Sequence, residues 1–303
     1  MTDSIKILRI QYENIPLFHN GCFEFSFMAE DRVSDPTQVF QLRKNLYTQK
    51  LTALVGINAS GKTSALKLID LALSIVLARG SLNTLVYDKS LLRDETKITI
   101  DFCHGDSCYE LHSIIGKRAP SRSMGTELYF KEEQLFKKPL GSIKSKKDVF
   151  CFDQTRLALQ RSQLPKDALG FLKFDDSIVI SIMMDRQVPA IKSLIPYTNN
   201  NSLMLYGHPT SELLQVFDSS LEKLSSSMID NNISYTIKFK NDPRTFHVTS
   251  EWSLNNLISS GTIKGQNIMM LIEDVLQTGG YLIVDELENH MNKELVRMIT
   301  DIF

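Results

Sequence analysis

The sequence predicts an α/β fold, and three observations support this prediction. The apolar run Leu51–Val55 has the length of a buried strand, and the apolar run Ala65–Ala78 has the length of a helix. The glycine-rich segment GINASGKTS joins the two runs. Far along the chain, a second short apolar strand is predicted at Tyr281–Val284, and it ends in two acidic residues.

The glycine-rich segment Gly56–Ser64 has the residue types and spacing of a phosphate-binding loop. Its two glycines let backbone N–H groups converge on an anion, and the following helix adds its positive N-terminal dipole. Lys62 would reach the β- and γ-phosphates of a nucleotide, and the Thr63 hydroxyl would bind Mg²⁺. The alternative is a flexible surface loop. The candidate nucleotide-binding residues are Gly56, Asn58, Ala59, Ser60, Gly61, Lys62, Thr63 and Ser64.

Two acidic residues supply the second element that such a loop requires. Asp285 follows the strand Tyr281–Val284, where its carboxylate would serve the Mg²⁺ ion. Glu286 comes next and would act as the general base that polarises the attacking water. Glu286 and Lys62 are therefore the candidate catalytic residues, and Thr63 and Asp285 are the candidate metal ligands. The alternative is a pair of solvated acids at a strand end.

A third motif lies just ahead of the acidic strand. It consists of Ser259, Ser260, Gly261 and Thr262, and an amphipathic helix is predicted after it over Gly265–Gln277. A serine–glycine turn at a helix N-terminus is a second phosphate-binding device. Because 223 positions separate Lys62 from Asp285, a large insertion is predicted between the first two motifs.

These motifs resemble those of soluble ABC-type ATPases, above all the OLD (overcoming lysogenization defect) group, to which SMC-type and RecF-type heads are related. Ile258–Thr262 is similar to the signature Leu-Ser-Gly-Gly-Gln, with isoleucine, serine and threonine in place of its leucine, first glycine and glutamine. The opening IKILRIQYENIPLFHNGCFEFSF is similar to the N-terminal hairpin of such families. The resemblance covers residues 1–80 and 250–303.

The resemblance implies an enzyme that binds and hydrolyses ATP with Mg²⁺ as a homodimer or larger homo-oligomer. Two heads would enclose ATP, each molecule between Gly56–Ser64 of one protomer and Ser259–Thr262 of the other. ATP-gated association would then control an effector protein in DNA repair or anti-phage defence. The alternative from another class is an ATP-binding scaffold that holds a toxic effector with little dependence on hydrolysis.

Further elements are predicted in the rest of the chain. Apolar side chains alternate with other residues on both sides of His104–Ser107, which predicts a hairpin, and a further strand is predicted at Leu128–Leu135. The segment Glu212–Ser225 places apolar residues on one face of a helix, and a further hairpin is predicted over Ile233–Phe239 and Arg244–Thr249. The predicted parts are residues 1–95 (first half of the head), 96–150 (β arm with a basic loop), 151–232 (helical insertion) and 233–303 (second half of the head).

The charge of the chain bears on which partners it can bind. The chain has 34 Lys and Arg against 35 Asp and Glu, so a globally basic nucleic-acid binder is not indicated. The segment Lys117–Phe150 does carry nine basic residues against four acids. Nucleic acid or an acidic protein is therefore a possible partner of Lys117–Lys147, and the alternative is a solvated loop.

Four scattered cysteines are too few for a disulfide framework, and Cys103 with Cys108 makes a weak zinc site. With no apolar run long enough to span a bilayer, we expect a cytoplasmic protein and no membrane partner.

The family resemblance also implies parts that the motifs do not supply. Phe303 lies 17 residues after Glu286, whereas an ABC-type head continues with at least one strand and a histidine that contacts the γ-phosphate. The C-terminal part of the head is therefore expected to be missing, and the chain is either a fragment or a truncated protein with impaired turnover. The glutamine that senses the nucleotide in such heads has three candidates, namely Gln134, Gln154 and Gln160.

Overall fold

A computed structural model describes residues 5–31, 33–77, 80–86, 88–119, 125–179, 191–198, 211–229, 232–289, 291 and 293–303. They form a mixed α/β structure with two compact units, Met1–Ile191 and Lys192–Phe303. No helix within these ranges combines the length and the apolar character needed to cross a lipid bilayer.

The helices and strands are numbered along the chain. In chain order the strands are β1 Lys6–Glu13, β2 Cys22–Ser26, β3 Val39–Arg43, β4 Leu46–Gln49, β5 Thr96–His104, β6 Ser107–Arg118, β7 Glu127–Pro139, β8 Leu157–Gln160, β9 Ile191–Ser193, β10 Leu221–Ile229, β11 Asn232–Phe239, β12 Thr245–Val248 and β13 Tyr281–Ile283. Within the described ranges the α-helices are α1 Lys62–Val76, α2 Leu82–Leu85, α3 Lys166–Phe171, α4 Ser211–Phe217, α5 Glu251–Asn255, α6 Ser260–Thr278 and α7 Lys293–Thr300.

The first unit is built on a six-stranded antiparallel sheet in the order β2-β1-β5-β6-β7-β8. The predicted hairpin is confirmed, because Cys103 pairs with Cys108 and His104 with Ser107. Gly105 makes the tight turn possible, since its φ of 54° is a left-handed conformation that glycine adopts without a steric cost. The predicted N-terminal hairpin is likewise confirmed as β1 and β2.

Helix α1 packs on this sheet as the apolar run after Lys62 predicted. Its side chains are buried nearly all round, and Leu68 and Leu73 are each 1% exposed. The buried hydroxyl of Tyr12 on β1 donates a hydrogen bond to the backbone oxygen of Leu68 at 2.7 Å. This bond fixes the height of the helix against the sheet, and with it the position of the segment that precedes the helix.

The strand predicted at Leu51–Val55 is wrong. These residues are not in a strand, and the side chains of Leu51 and Val55 are 49% and 93% exposed. The strand that does form is the preceding one, β4, which pairs with β3 and ends at Gln49. An apolar run of this length becomes a strand only where another strand offers its backbone groups, and none of the described strands pairs with residues 51–55.

The second unit combines the antiparallel sheet β10-β11-β12 with the long helix α6 and the two-stranded sheet of β13 and β9. The hairpin predicted over Ile233–Phe239 and Arg244–Thr249 is confirmed by β11 and β12. One apolar cluster packs Leu224 and Tyr235 of the sheet against Ile258 and Ile263 at the start of α6. The N-terminal turn of α6 is thereby anchored in the core.

The helical insertion predicted over residues 151–232 is also corrected. Among the described residues of this range, α3 and α4 are helices of six and seven residues, and β8, β9 and β10 are strands. The helix predicted over Glu212–Ser225 ends at Phe217 because the Asp218 carboxylate accepts a hydrogen bond from the backbone N–H of Ser220 at 3.0 Å. That turn reverses the chain, and Leu221 begins a strand.

Candidate functional site

The loop Gly56–Lys62 curls around the amino group of its own lysine. The ammonium nitrogen Nζ of Lys62 donates to the backbone oxygen of Gly56 at 2.8 Å and to that of Ile57 at 3.0 Å. The backbone N–H of Ser60 donates to the same Ile57 oxygen at 3.2 Å. The segment therefore forms a closed ring with a cation at its edge, directly ahead of helix α1.

Two left-handed residues produce this curl. Ala59 has a φ of 62° and Gly61 a φ of 88°. A positive φ is uncommon for alanine, whereas glycine adopts it freely. Gly61 is also the N-cap of α1, and its backbone oxygen accepts the N–H of Ala65 at 2.8 Å. The first N–H groups of the helix consequently begin where the loop ends, which is the local arrangement that binds anions.

The surroundings of the loop are open to solvent. Asn58, Ala59, Ser60 and Thr63 are exposed, and Ser64 is half-buried. A β-carbon on Gly61 would lie 3.9 Å from the ring of Phe18, which belongs to the connection between β1 and β2. No motif in the sequence predicted that Phe18 lies beside this loop. The only sequence feature that indicates it is an aromatic residue in the turn of the N-terminal hairpin.

The Ser259–Thr262 motif forms the N-terminus of α6. The Ser259 hydroxyl accepts the backbone N–H of Thr262 at 3.1 Å and lies 2.8 Å from the Thr262 hydroxyl. Ser259 is therefore an N-cap, and α6 begins at Ser260, five positions before the predicted start at Gly265. Ser259 is exposed and Ser260 half-buried, whereas Gly261 and Thr262 are buried.

The acidic pair follows β13, as the sequence predicted. Asp285 is only 5% exposed. Glu286 is exposed and has a φ of 49°, a left-handed conformation that is strained for a residue with a β-carbon. The side-chain amide of Asn289 donates to the carboxylate of Glu286, and the backbone N–H of Asn289 donates to the Glu286 backbone oxygen at 3.0 Å. Asn289 therefore binds both the carboxylate and the backbone oxygen of Glu286.

A lysine of α6 reaches the same turn. The Nζ atom of Lys264 donates to the backbone oxygen of Glu286 at 2.5 Å. Burial lowers the pKa of Lys264, and the negative charges of Glu286, Glu288 and Asp285 oppose that shift. Sequence reasoning missed Lys264, because 22 positions separate it from Glu286 and no short motif spans that distance.

The structure thus assembles the predicted residues in two groups. Gly56–Ser64 form one group in the first unit. In the second unit, Lys264 joins the helix that starts at Ser260 to the turn that contains Asp285 and Glu286. Of the three candidate glutamines, Gln134 and Gln160 pair across β7 and β8, and Gln154 lies in a short 3₁₀ turn.

The oxygen donors of these two groups suit magnesium. Mg²⁺ at a nucleotide takes one or two protein oxygens, and phosphates and water complete its shell. The Thr63 hydroxyl and the Asp285 carboxylate have that chemistry. Within the described part of the chain, no three His, Cys, Asp or Glu residues gather as a metal-binding group. Cys103 and Cys108 form a disulfide bond, a pairing that the sequence analysis did not predict, and neither thiol is then available as a zinc ligand.

In the basic segment Lys117–Lys147, the end of β6 and the whole of β7 are strand. Residues 140–147 form short turns in which Lys144, Lys146 and Lys147 are exposed, and residues 120–124 lie outside the described part of the chain. At least five of its cations bind groups of the same unit. These contacts are Lys117 Nζ to the Lys89 backbone oxygen at 2.7 Å, Arg118 to Glu127 at 2.8 Å, Lys131 to Asp94 at 3.2 Å, Lys138 to the Cys151 backbone oxygen at 2.8 Å and Lys146 to the Ala29 backbone oxygen at 2.6 Å. Charge already used in this way adds little to phosphate binding, and a nucleic-acid partner stays a prediction.

No protein-family model and no curated protein matches this chain. A functional proposal therefore depends on the residues themselves. The two groups that carry it are the ring Gly56–Lys62 and the junction of α6 with the acidic turn.

Proposed function

We propose that this chain is an ATP-binding and ATP-hydrolysing P-loop protein of the ABC type. The observation that carries the proposal is the ring of backbone around Lys62. Its ammonium makes two hydrogen bonds to carbonyl oxygens, at 2.8 and 3.0 Å, and lies at the start of a fifteen-residue helix. A terminal phosphate would exchange those carbonyl partners for its own oxygens and gain the N–H groups of the helix N-terminus.

The remaining residues of the first group would hold the nucleotide in place. The exposed Thr63 would serve the Mg²⁺ ion that accompanies ATP through its hydroxyl. When bound, the ion would neutralise charge on the phosphate oxygens.

Glu286 is the residue proposed to activate water. It is exposed, and its carboxylate is oriented by the Asn289 amide. An oriented carboxylate within reach of a water molecule can accept a proton as that water attacks the γ-phosphate. Replacing Glu286 by glutamine removes the base but keeps the shape, so Glu286→Gln should bind ATP and turn it over slowly.

The second phosphate-binding device would serve a second copy of the chain. Ser259 and Ser260, the members of Ser259–Thr262 that are not buried, would contact the γ-phosphate held by Gly56–Ser64 of the partner, so that ATP closes a homodimer. Closure follows from the extra contacts that ATP makes only in the closed state. The closed form would then act on an effector protein, and DNA repair and anti-phage defence are the settings that the family resemblance suggests.

The proposal is tested by nucleotide binding. Titration of a fluorescent ATP analogue into the wild-type chain with Mg²⁺ should give saturable binding, and Lys62→Ala should weaken it by about a hundredfold, the loss expected for a charge-assisted phosphate contact. Lys44→Ala, at an exposed lysine of the same unit, is the matched control and should bind as the wild type does. A wild-type chain that fails to bind, or a Lys62→Ala variant that binds normally, would overturn the proposal.

A further inference from the structure

Lys264 connects the proposed partner-facing end of α6 to the proposed catalytic turn of the same chain. It lies five positions after the N-cap Ser259, in the second turn of the helix. Its side chain ends 2.5 Å from the backbone oxygen of Glu286. Since a helix keeps its first two turns as one rigid piece, Ser259 and Lys264 move together.

The contact lies in an acidic environment that holds the ammonium in place. Lys264 is half-buried, and the charged groups that act on it are Asp285, Glu286 and Glu288. It nevertheless donates to a backbone oxygen of the turn. A side chain that only neutralised charge would need no hydrogen bond to a backbone oxygen. The geometry therefore indicates that Lys264 holds the backbone of Glu286 in its conformation.

The backbone of Glu286 has a conformation that needs support. Its φ of 49° is unfavourable for a residue with a β-carbon. The backbone oxygen accepts two hydrogen bonds, from Lys264 and from the N–H of Asn289. Removing one of the two bonds should let the turn relax and let the carboxylate drift from its position.

We propose that Lys264 is a positioning residue that sets the orientation of the Glu286 carboxylate and makes it depend on the placement of α6. This inference rests on the proposed ATPase function. A nucleotide bound by the partner at Ser259–Thr262 would fix α6, and α6 would fix Glu286 through Lys264. Each proposed ATP site would thereby influence the hydrolytic residue of the other.

The test separates binding from turnover. Lys264→Met keeps the length and the apolar stem of the side chain but cannot donate the hydrogen bond. We expect kcat for ATP to fall about tenfold or more, as for other misplaced catalytic groups, with KM changed less than about threefold. Lys264→Arg, which can still donate, should recover most of kcat. Lys223→Met, at an exposed lysine of the same unit, is the control and should keep wild-type rates.

A double variant shows whether Lys264 acts through Glu286. In a Glu286→Gln background, Lys264→Met should cause no further loss of the residual rate, because the group it positions is already gone. An equal fractional loss in both backgrounds would overturn the proposal, as would an active wild type whose kcat Lys264→Met leaves unchanged. A wild type that binds but never hydrolyses ATP would instead overturn the proposed function, and the positioning role with it. Thermal unfolding of each variant guards against a merely misfolded protein.

Discussion

The ammonium of Lys62 lies 2.8 Å from the backbone oxygen of Gly56, six positions earlier in the chain. This contact shapes the loop around a cation and leaves Val55 and Ile57 outside it, 93% and 83% exposed. Because the loop is already curved, phosphate binding would require an exchange of hydrogen-bond partners and little rearrangement of the backbone. Preorganisation of this kind lowers the entropic cost of binding.

The packing of α6 against α4 depends on a glycine. A β-carbon at Gly265 would lie 2.3 Å from the ring of Phe217, so Gly265→Ala should lower the free energy of unfolding by about 1–3 kcal/mol, as overpacking does. Urea denaturation measures the loss. Gly170→Ala, in helix α3, is the matched control, because a β-carbon there meets no atom within 4 Å and should be neutral or stabilising. Equal behaviour of the two variants would contradict the packing described.

The first unit contains a buried ion pair between Glu133 and Arg161. Glu133 is 0% exposed, and its carboxylate accepts hydrogen bonds from Arg161 at 2.9 Å and from the N–H of Ile178 at 2.9 Å. Arg161→Met should cost about 3–5 kcal/mol of unfolding free energy, since it leaves a buried carboxylate without its cation.

The double variant Arg161→Met with Glu133→Gln should recover part of that loss, because no buried charge then remains. Chemical denaturation of the single and double variants provides the comparison. A double variant less stable than Arg161→Met alone would show that the charge of Glu133 is not the source of the cost.

The pH dependence of stability should reflect Asp101. Burial raises the pKa of Asp101 to about 7, helped by the negative charge of Glu110 and opposed by Arg9. The folded chain therefore keeps a proton that the unfolded chain releases near pH 4. Between about pH 4 and pH 7 the folded state binds more protons, so stability should fall as the pH rises, by up to about 1.4 kcal/mol per pH unit.

Asp101→Asn should reduce that slope, to which the pKa of Glu133, raised by burial, also contributes, and urea denaturation at pH 5, 6 and 7 measures the slope. Asp242→Asn is the control. A bond from Arg244 lowers the pKa of Asp242 to about 2, so this variant should keep the wild-type slope above pH 5. An unchanged slope in Asp101→Asn would contradict the assignment.

Local patterns in the sequence predicted the elements whose cause is local. The turn His104–Ser107 and the helix after Lys62 each follow from residues within a few positions of one another. The segment Leu51–Val55 failed because a strand needs a partner, and sequence alone does not supply one. The segment Glu212–Ser225 failed because helical spacing before Asp218 continued by coincidence into a strand.

Only the parts of the candidate site that consist of neighbouring residues could be predicted from the sequence. The motif around Lys62 and the acidic pair can be recognised in the sequence because each is a run of neighbouring residues, and their role in nucleotide binding stays a prediction. Lys264 and Phe18 were not found, since each reaches its site from an element distant in sequence. The disulfide between Cys103 and Cys108 was not expected either, although the predicted hairpin already placed the two residues opposite each other.

The ATP-gated dimer is tested by the mass of the Glu286→Gln variant in solution, measured by light scattering with and without MgATP. ATP that joins two copies should double the mass, and adding Ser259→Arg should abolish the increase, because a bulky cation would occupy the N-terminus of α6. An unchanged mass with ATP demonstrably bound would contradict the ATP-gated dimer.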